Sequence, residues 1–457
     1  MSIALCILAI LAQQGIVALT TITIAHAAAS VSAGIDPTHS LIVFCILLAS
    51  VSIPQILIEF ELERSKYWLF DKAVSHTAAS NYGATSAFFN NRIKTEKEPY
   101  IDTELWIVIS DNVDYAADAF TTSVNIILNT AAVASVLDSS FAAAIVLSGG
   151  ISLVAAVISF RFIKKPVSES QIARAHLFAA IRKCIPNSWI GNSRCFADWK
   201  TYYRAKENAS MRAQTRLTLA RGGLSALTTV VSTLPFIVTT ISYCLPHAGN
   251  PVLLTTLIAV LPRQVQILQN INVIVAYAIQ LSERMARTAL VQDNLILTTE
   301  ERREHGPIEW SRLRITPIDE EEHSVIPRDM ADIEAATRNF SPGRTTLRGA
   351  NGSGKSTLLA QFKERLGDRA FLLPAHPELY FPELDAQEAS SGQAIIRILK
   401  LLESGYLGKD CDVVLLDEWD ANLDEKARIA QDKSLDNLAQ SKCVLEVLHN
   451  SRKAAVR

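Results

Sequence analysis

Residues 349–356 read GANGSGKS, a match to the pattern GxxxxGK[ST]. Such a loop does phosphate chemistry. Gly349, Ala350, Asn351, Gly352, Ser353 and Gly354 form a glycine-rich turn that aims successive backbone N–H groups at a phosphate. Lys355 reaches the outer phosphates, and Ser356 offers a hydroxyl to Mg²⁺. Thr357 completes the run as the next helix begins, and a helix N-terminus adds positive potential.

A second cluster follows in CDVVLLDEWD, residues 411–420. Val413 to Leu416 are apolar, as in a parallel strand buried on both faces. Asp417, at the end of that strand, can hold Mg²⁺ through water. Glu418 can polarise an attacking water. Phosphoryl transfer needs mainly positioning and charge stabilisation, so a carboxylate pair beside a phosphate loop is sufficient equipment. Two further pieces have the right order and distance. In ASSGQ (389–393), Ser390, Ser391, Gly392 and Gln393 form a small-residue turn ahead of a helical stretch, a second anion site. CVLEVLHN (443–450) is a strand ending at His449, which can touch a γ-phosphate.

These groups need elements to hold them. RTTLR (344–348) reads as a strand leading into the loop, and TLLAQFKERL (357–366) has the apolar spacing of a helix. Ahead of this region the chain is different. Of its 457 residues 49% are apolar, and the long apolar runs fall before about residue 285. A bilayer-spanning helix takes roughly 20 mostly apolar residues. Six stretches qualify: 3–25, 41–60, 116–137, 141–160, 222–245 and 251–281. A soluble core made of six such helices in under 300 residues would have no surface. The first run lacks the basic flank of a signal peptide, so it is expected to remain as a span.

Lys and Arg set the orientation. The segments 26–40, 138–140 and 246–250 carry none. The segment 62–115 carries six and 161–221 carries thirteen. The two long loops are therefore expected in the cytoplasm, with both termini. The phosphate loop then lies where ATP is, and the protein is expected in the inner (cytoplasmic) membrane of the cell, multi-pass, with lipid bilayer around it. The formal net charge of −2 gives no reason to expect a nucleic-acid partner. Seven cysteines without CxxC spacing argue against a disulfide framework or zinc site. The expected domains are a transmembrane domain over 1–285, a linker over 286–307 that includes the charged LTTEERREHGPIEW stretch, and an ATP-binding domain over 308–457.

With these motifs in place, the chain resembles an ATP-binding cassette (ABC) transporter of the exporter type, with membrane and ATPase domains fused. GANGSGKST is similar to the family's Walker A, VVLLDE to its Walker B, ASSGQ to its LSGGQ signature, and ANLD (421–424) to its D-loop, with Asp424 as the aspartate. His449 falls at the switch histidine. The resemblance implies six transmembrane helices joined to an α/β P-loop NTPase cassette, ATP and Mg²⁺ as cofactors, and a homodimer in which each ATP lies between one chain's Walker A and the other's signature. The chain departs from the family at the Q-loop, where Ala375 and His376 stand in LLPAHPELYF. The interval from Lys355 to Ser390 is also short, which implies a shortened helical subdomain. Trp310 is the nearest aromatic for stacking on adenine.

The span 251–281 is the most polar. Arg263, Gln266 and Asn270 fall within about 60° on a helical wheel. A charge at that depth faces a protein interior or a wet cavity. The stripe is expected to line a substrate pathway, or else to make a polar contact between helices. DEW at 417–419 resembles the Walker B ending of exporters of cyclic or modified peptides and siderophore precursors, which points to a peptide or peptide-like cargo. Two other readings stand beside export: a membrane-anchored nucleotide switch without transport, and an ATP-driven peptide importer.

Overall fold

The apolar runs form long helices. In chain order these are α1 (Ser2–Ser32), α2 (Thr38–Ser50), α3 (Ser52–Asn81), α4 (Thr85–Phe89), α5 (Asn91–Pro99), α6 (Leu105–Val136), α7 (Ser139–Ile181), α8 (Cys184–Trp189), α9 (Ser193–Cys244), α10 (Pro251–Leu295) and α11 (Thr299–Arg303). The structure is a computed structural model that describes residues 2–316, 324–376, 379–382, 391–408, 410–421 and 423–449. Among the described residues five helical runs are long and apolar enough to cross a membrane: Ile3–Ser32, Thr38–Asn81, Asn91–Val136, Ser193–Cys244 and Pro251–Arg303. They contain five of the six expected spans. The sixth, 141–160, lies in α7, where the apolar helix that can be described is the shorter stretch Ser139–Ala155.

The chain divides into two units, residues 1–72 with 105–291, and 73–104 with 292–457. In the first, Val133, Phe141, Ile145, Phe236, Leu257, Ile267 and Ile271 pack together. The outward faces stay apolar, with Leu8, Ile46, Ile53, Ile56 and Val146 exposed. A surface of this kind is stable against lipid or another protein rather than water. The segments expected as long loops are mostly helical: α3 runs on to Asn81, α6 begins at Leu105, α7 runs to Ile181 and α9 begins at Ser193. The 286–307 stretch is also partly ordered. α10 continues to Leu295, and Thr298 and Glu301 form a reciprocal capping box on α11.

The second unit is built on a five-stranded sheet. Its strands are β1 (Leu313–Thr316), β2 (Gly343–Gly349), β3 (Ala370–Leu373), β4 (Val413–Asp417) and β5 (Cys443–His449), in the order β1-β2-β5-β4-β3. Among the paired strands described, β1–β2 is antiparallel and the rest are parallel; Ile315 of β1 also makes an isolated antiparallel bridge to Val325. Four more helices accompany it: α12 (Met330–Ala336), α13 (Lys355–Leu366), α14 (Ser391–Glu403) and α15 (Glu425–Ala439). Period-2 alternation sends strand side chains to two apolar layers. Leu347, Val413, Leu415, Leu445 and Val447 meet Leu358, Leu359 and Phe362 of α13. Val414, Leu416 and Val444 meet Ile395, Ile398, Leu399 and Leu402 of α14 and Leu435 and Leu438 of α15. The 395, 398, 399, 402 spacing is one face of a helix, and it is the face that is buried. Residues 73–104 belong to this unit as well. The Ser86 N–H donates to Glu364 Oε1 at 2.6 Å, and Tyr82 Oη donates to Asp368 Oδ1 at 3.2 Å, which fastens the α3–α4 turn to the far end of α13.

Candidate functional site

The expected phosphate loop leaves the carboxyl end of β2, and α13 starts at Lys355. Gly352 and Gly354 have φ of +77° and +88°, which L side chains adopt with strain. Close packing adds a second reason for glycine. A Cβ on Gly349 would lie 2.7 Å from Ser353 Oγ, and one on Gly354 would lie 2.7 Å from the Pro307 carbonyl oxygen. The loop closes on itself through Ser353 N–H to Ala350 O at 3.1 Å. Residues 306–309 lie along it: the Glu309 N–H donates to Ser353 O at 3.1 Å, and a Cβ on Gly306 would meet Thr357 Oγ1 at 3.1 Å. This stretch, expected as the end of a linker, forms a wall of the site. Trp310 follows it and is half-buried against the α13 side of the core.

Lys355 is 6% exposed. Its ammonium donates to Gly349 O at 2.9 Å and Ala350 O at 3.4 Å, and lies 3.6 Å from Glu418 Oε1. Asp417 is 3% exposed, its Oδ1 is buried without a partner, and its carboxylate is hydrogen-bonded by Ser356. Burial pushes the Asp417 carboxyl above its usual range and the neighbouring Glu418 charge adds to this, while the Ser356 hydroxyl and the Lys355 ammonium draw it back. Glu418 has φ +45°, a left-handed backbone that costs about 1–3 kcal/mol and persists where its surroundings fix it. Its N–H donates to Val447 O at 3.2 Å, and its carbonyl accepts from the Ala421 N–H at 3.1 Å. Lys355, Ser356, Asp417 and Glu418 thus converge at the carboxyl ends of parallel strands, the edge where open α/β sheets bind ligands.

The remaining expected residues of the second unit are His449, Asp424 and the signature turn. His449 ends β5 and its backbone pairs with Gly349, so the strand delivers it beside the start of the loop. Asp424 caps α15, accepting from the Ala427 N–H at 2.6 Å. Of the signature turn, Ser390 lies outside the described residues, Ser391 begins α14, Gly392 is buried and Gln393 is exposed.

In the first unit, Arg263, Gln266 and Asn270 do fall on one side of α10. Arg263 Nε donates to Thr21 Oγ1 at 3.0 Å, Nη2 to Thr20 Oγ1 at 3.4 Å and Nη1 to Gln266 Oε1 at 2.6 Å. Asn270 Nδ2 donates to Asn125 Oδ1 at 2.8 Å, and Asn125 Nδ2 donates to Gln14 Oε1 at 2.6 Å. Thr21 in turn reaches Asn129 Oδ1 at 3.1 Å. The stripe is therefore part of a lane of amides and hydroxyls across α1, α6 and α10. Asn125 is one of the polar residues of the 116–137 run, but nothing in the sequence links it with Gln14, Thr21 and Asn129, because their partners lie on other helices.

Compared with known proteins, the chain matches no family model and none of the curated proteins.

Proposed function

We propose that the protein is an ATP-driven exporter. Working as a homodimer in the cytoplasmic membrane, it moves a peptide or peptide-like small molecule out of the cytoplasm. The observation that carries this reading is the convergence of Lys355, Ser356, Asp417 and Glu418 at one sheet edge, in a chain that also bears five membrane-length apolar helices. The loop N–H groups from Ala350 to Ser356 and the Lys355 ammonium bind the phosphates of ATP. Lys355 exchanges the carbonyls of Gly349 and Ala350 for phosphate oxygens.

Among the described residues no three His, Cys, Asp or Glu side chains form a metal cage. Mg²⁺ suits this setting, because it takes one or two protein ligands and completes its shell with water and phosphate. Ser356 and Asp417 fit it: they touch each other, and Asp417 Oδ1 is a buried acceptor with no partner. When bound, the ion neutralises charge that develops on the phosphates. Glu418 orients and polarises the attacking water, and His449 contacts the outer phosphate. The signature turn of the partner subunit closes the site over ATP, and the polar lane around Arg263 lines the cargo path. A further support is the seat of α4 on α13, which links a segment between two membrane-length helices to the helix that Lys355 begins.

One observation favours a second reading. Between β3 and β4 the described residues hold a single helix, α14, and Ala375 stands where the family has its Q-loop glutamine. A membrane-anchored nucleotide switch would have the same pared-down cassette. Inside-out vesicles separate the two. Export requires a labelled peptide to accumulate with ATP and Mg²⁺ and not with ADP. ATP turnover with no peptide or lipid cargo moved would assign the chain to the switch.

A further inference from the structure

We infer that Glu446 is a positioning residue for hydrolysis, acting on Glu418 through the indole of Trp419. The inference rests on the reading of Glu418 as the residue that polarises water.

Glu446 lies in the middle of β5, three residues before His449, and is 1% exposed. It points to the α14–α15 side, where its strand neighbour Val444 is apolar. All of its acceptor capacity is used. Oε1 accepts from Arg344 Nε at 3.0 Å and from Thr346 Oγ1 at 2.8 Å. Oε2 accepts from Arg344 Nη2 at 2.8 Å and from Trp419 Nε1 at 2.9 Å. Arg344 then spends its remaining reach on α15, with Nη2 on Asp432 Oδ1 and Nη1 on Asp436 Oδ1, both at 2.8 Å.

These contacts join the parts that must be in register for the reaction. Arg344 and Thr346 are on β2, which ends in the phosphate loop. Glu446 is on β5, which ends at His449. Trp419 follows Glu418 directly, at the end of β4. α15 begins at its cap Asp424. One buried carboxylate therefore ties together the three strands and the helix that present the candidate groups. The left-handed backbone at Glu418 is clamped on both sides: its own N–H is bonded to Val447 O, next to Glu446, and the following side chain is held in the core by Glu446 itself. A buried ion network adds little stability over apolar packing of the same volume. What this one supplies is geometry, because an indole N–H bonded to a fixed carboxylate sets where the Glu418 side chain emerges.

Two variants of the full chain, reconstituted in lipid nanodiscs, test the inference. Trp419→Phe keeps an aromatic ring in the core and leaves Glu446 paired with Arg344 and Thr346. It removes only the N–H. Glu446→Gln keeps the volume and one carbonyl acceptor. The expected result is a split: kcat for ATP falls roughly tenfold or more in Trp419→Phe, the size expected for a lost hydrogen bond to a charged group, while KM and direct ATP binding change less than about twofold. Glu446→Gln puts an NH2 donor opposite two of the donors that Glu446 now accepts from, so its kcat falls at least as far as that of Trp419→Phe. A purely structural role gives a lower melting temperature with unchanged kcat in the folded fraction, or equal losses in binding and turnover; either result overturns the inference. Absence of turnover in the unaltered chain refutes the ATPase reading, and this inference with it. Robust turnover that Trp419→Phe leaves intact refutes the positioning role alone.

Discussion

The Lys355 ammonium lies 3.6 Å from the Glu418 carboxylate, although among the described residues two α-helices, α13 and α14, and two strands, β3 and β4, run between them. The same ammonium holds the carbonyls of Gly349 and Ala350. Lysine thus braces the loop from inside and faces the acidic pair across it. On the proposed reading, nucleotide phosphate competes for this cation. Lys355→Ala is therefore expected to weaken ATP binding by about 1.5–3 kcal/mol, a factor of ten or more, as for a lost hydrogen bond to a charged group. Equilibrium titration with ATP measures it. A variant that binds ATP as the unaltered chain does would remove Lys355 from the phosphate site.

Gly354 couples backbone angle to packing. Its φ is +88°, and a Cβ there would lie 2.9 Å from Ile308 Cα as well as 2.7 Å from the Pro307 oxygen. Neither neighbour is the flexible end of a side chain. Gly354→Ala should cost about 1–3 kcal/mol from strain at a disallowed backbone position, seen as a lower melting temperature of the second unit. Gly352→Ala, which meets nothing within 4 Å, should cost less. Equal losses at both positions would mean that the packing of residues 307–308 on the loop is not what excludes a side chain at 354.

Asp417 makes a prediction with a sign. Its carboxyl is held above the ordinary value of 3.8, chiefly by burial. The folded chain therefore binds this proton more readily than the unfolded chain. By linkage, the group favours folding at pH below its unfolded value and loses that contribution as pH rises through the raised folded value. Burial makes the charged form of Asp417 costly in the folded chain. Asp417→Asn keeps the shape and removes the charge, so it should raise the nucleotide-free melting temperature at pH 7, with the gain shrinking toward acid pH. The same variant should lose Mg²⁺-dependent turnover. A melting temperature that falls at pH 7 would show that Asp417 is adequately paired in the fold.

Arg263 is committed to Thr21, Thr20 and Gln266. On the pathway reading these bonds hold the guanidinium ready for a carboxylate or a peptide backbone. Arg263→Ala should abolish cargo accumulation in vesicles. Arg263→Lys should retain part of it, since the charge stays and the bidentate fork is lost. If Arg263→Ala instead fails to yield assembled protein while Arg263→Lys assembles and transports fully, the residue serves to pack α1 against α10.

Local signals account for what the sequence revealed. The phosphate loop is legible because its glycines and Lys355 act within eight residues. β2, β4, β5 and α13 form about where the sequence places them, while α14 starts at Ser391 and takes in Gly392 and Gln393, which the sequence reading puts in a turn ahead of the helix. Five of the six membrane-length runs follow from length and apolar content. What escaped was long-range. Glu446 looks like the one outward residue of an alternating strand, and only the fold brings Arg344 and Trp419 to it. Residues 306–309 have the Gly-Pro composition of a linker, yet their backbone lines the phosphate loop. The charged segment 62–115 reads as a cytoplasmic extension that docks on the cassette or as a solvated helical hairpin; what the sequence does not show is which contacts place 73–104 with the second unit, such as Ser86 to Glu364. The bond between Gln14 and Asn125 depends on α1 and α6 meeting, which neither run shows by itself.

The central claim is that this chain hydrolyses ATP with Glu418 at the reacting phosphate. The most direct measurement is steady-state phosphate release by the purified chain in lipid vesicles, beside ATP binding, for the unaltered protein and for Glu418→Gln. The account predicts Mg²⁺-dependent release by the unaltered chain, and a variant that binds ATP at least as tightly while release falls at least about a hundredfold, the range typical of losing a general base. No release by the unaltered chain, or equal release by both, would contradict it.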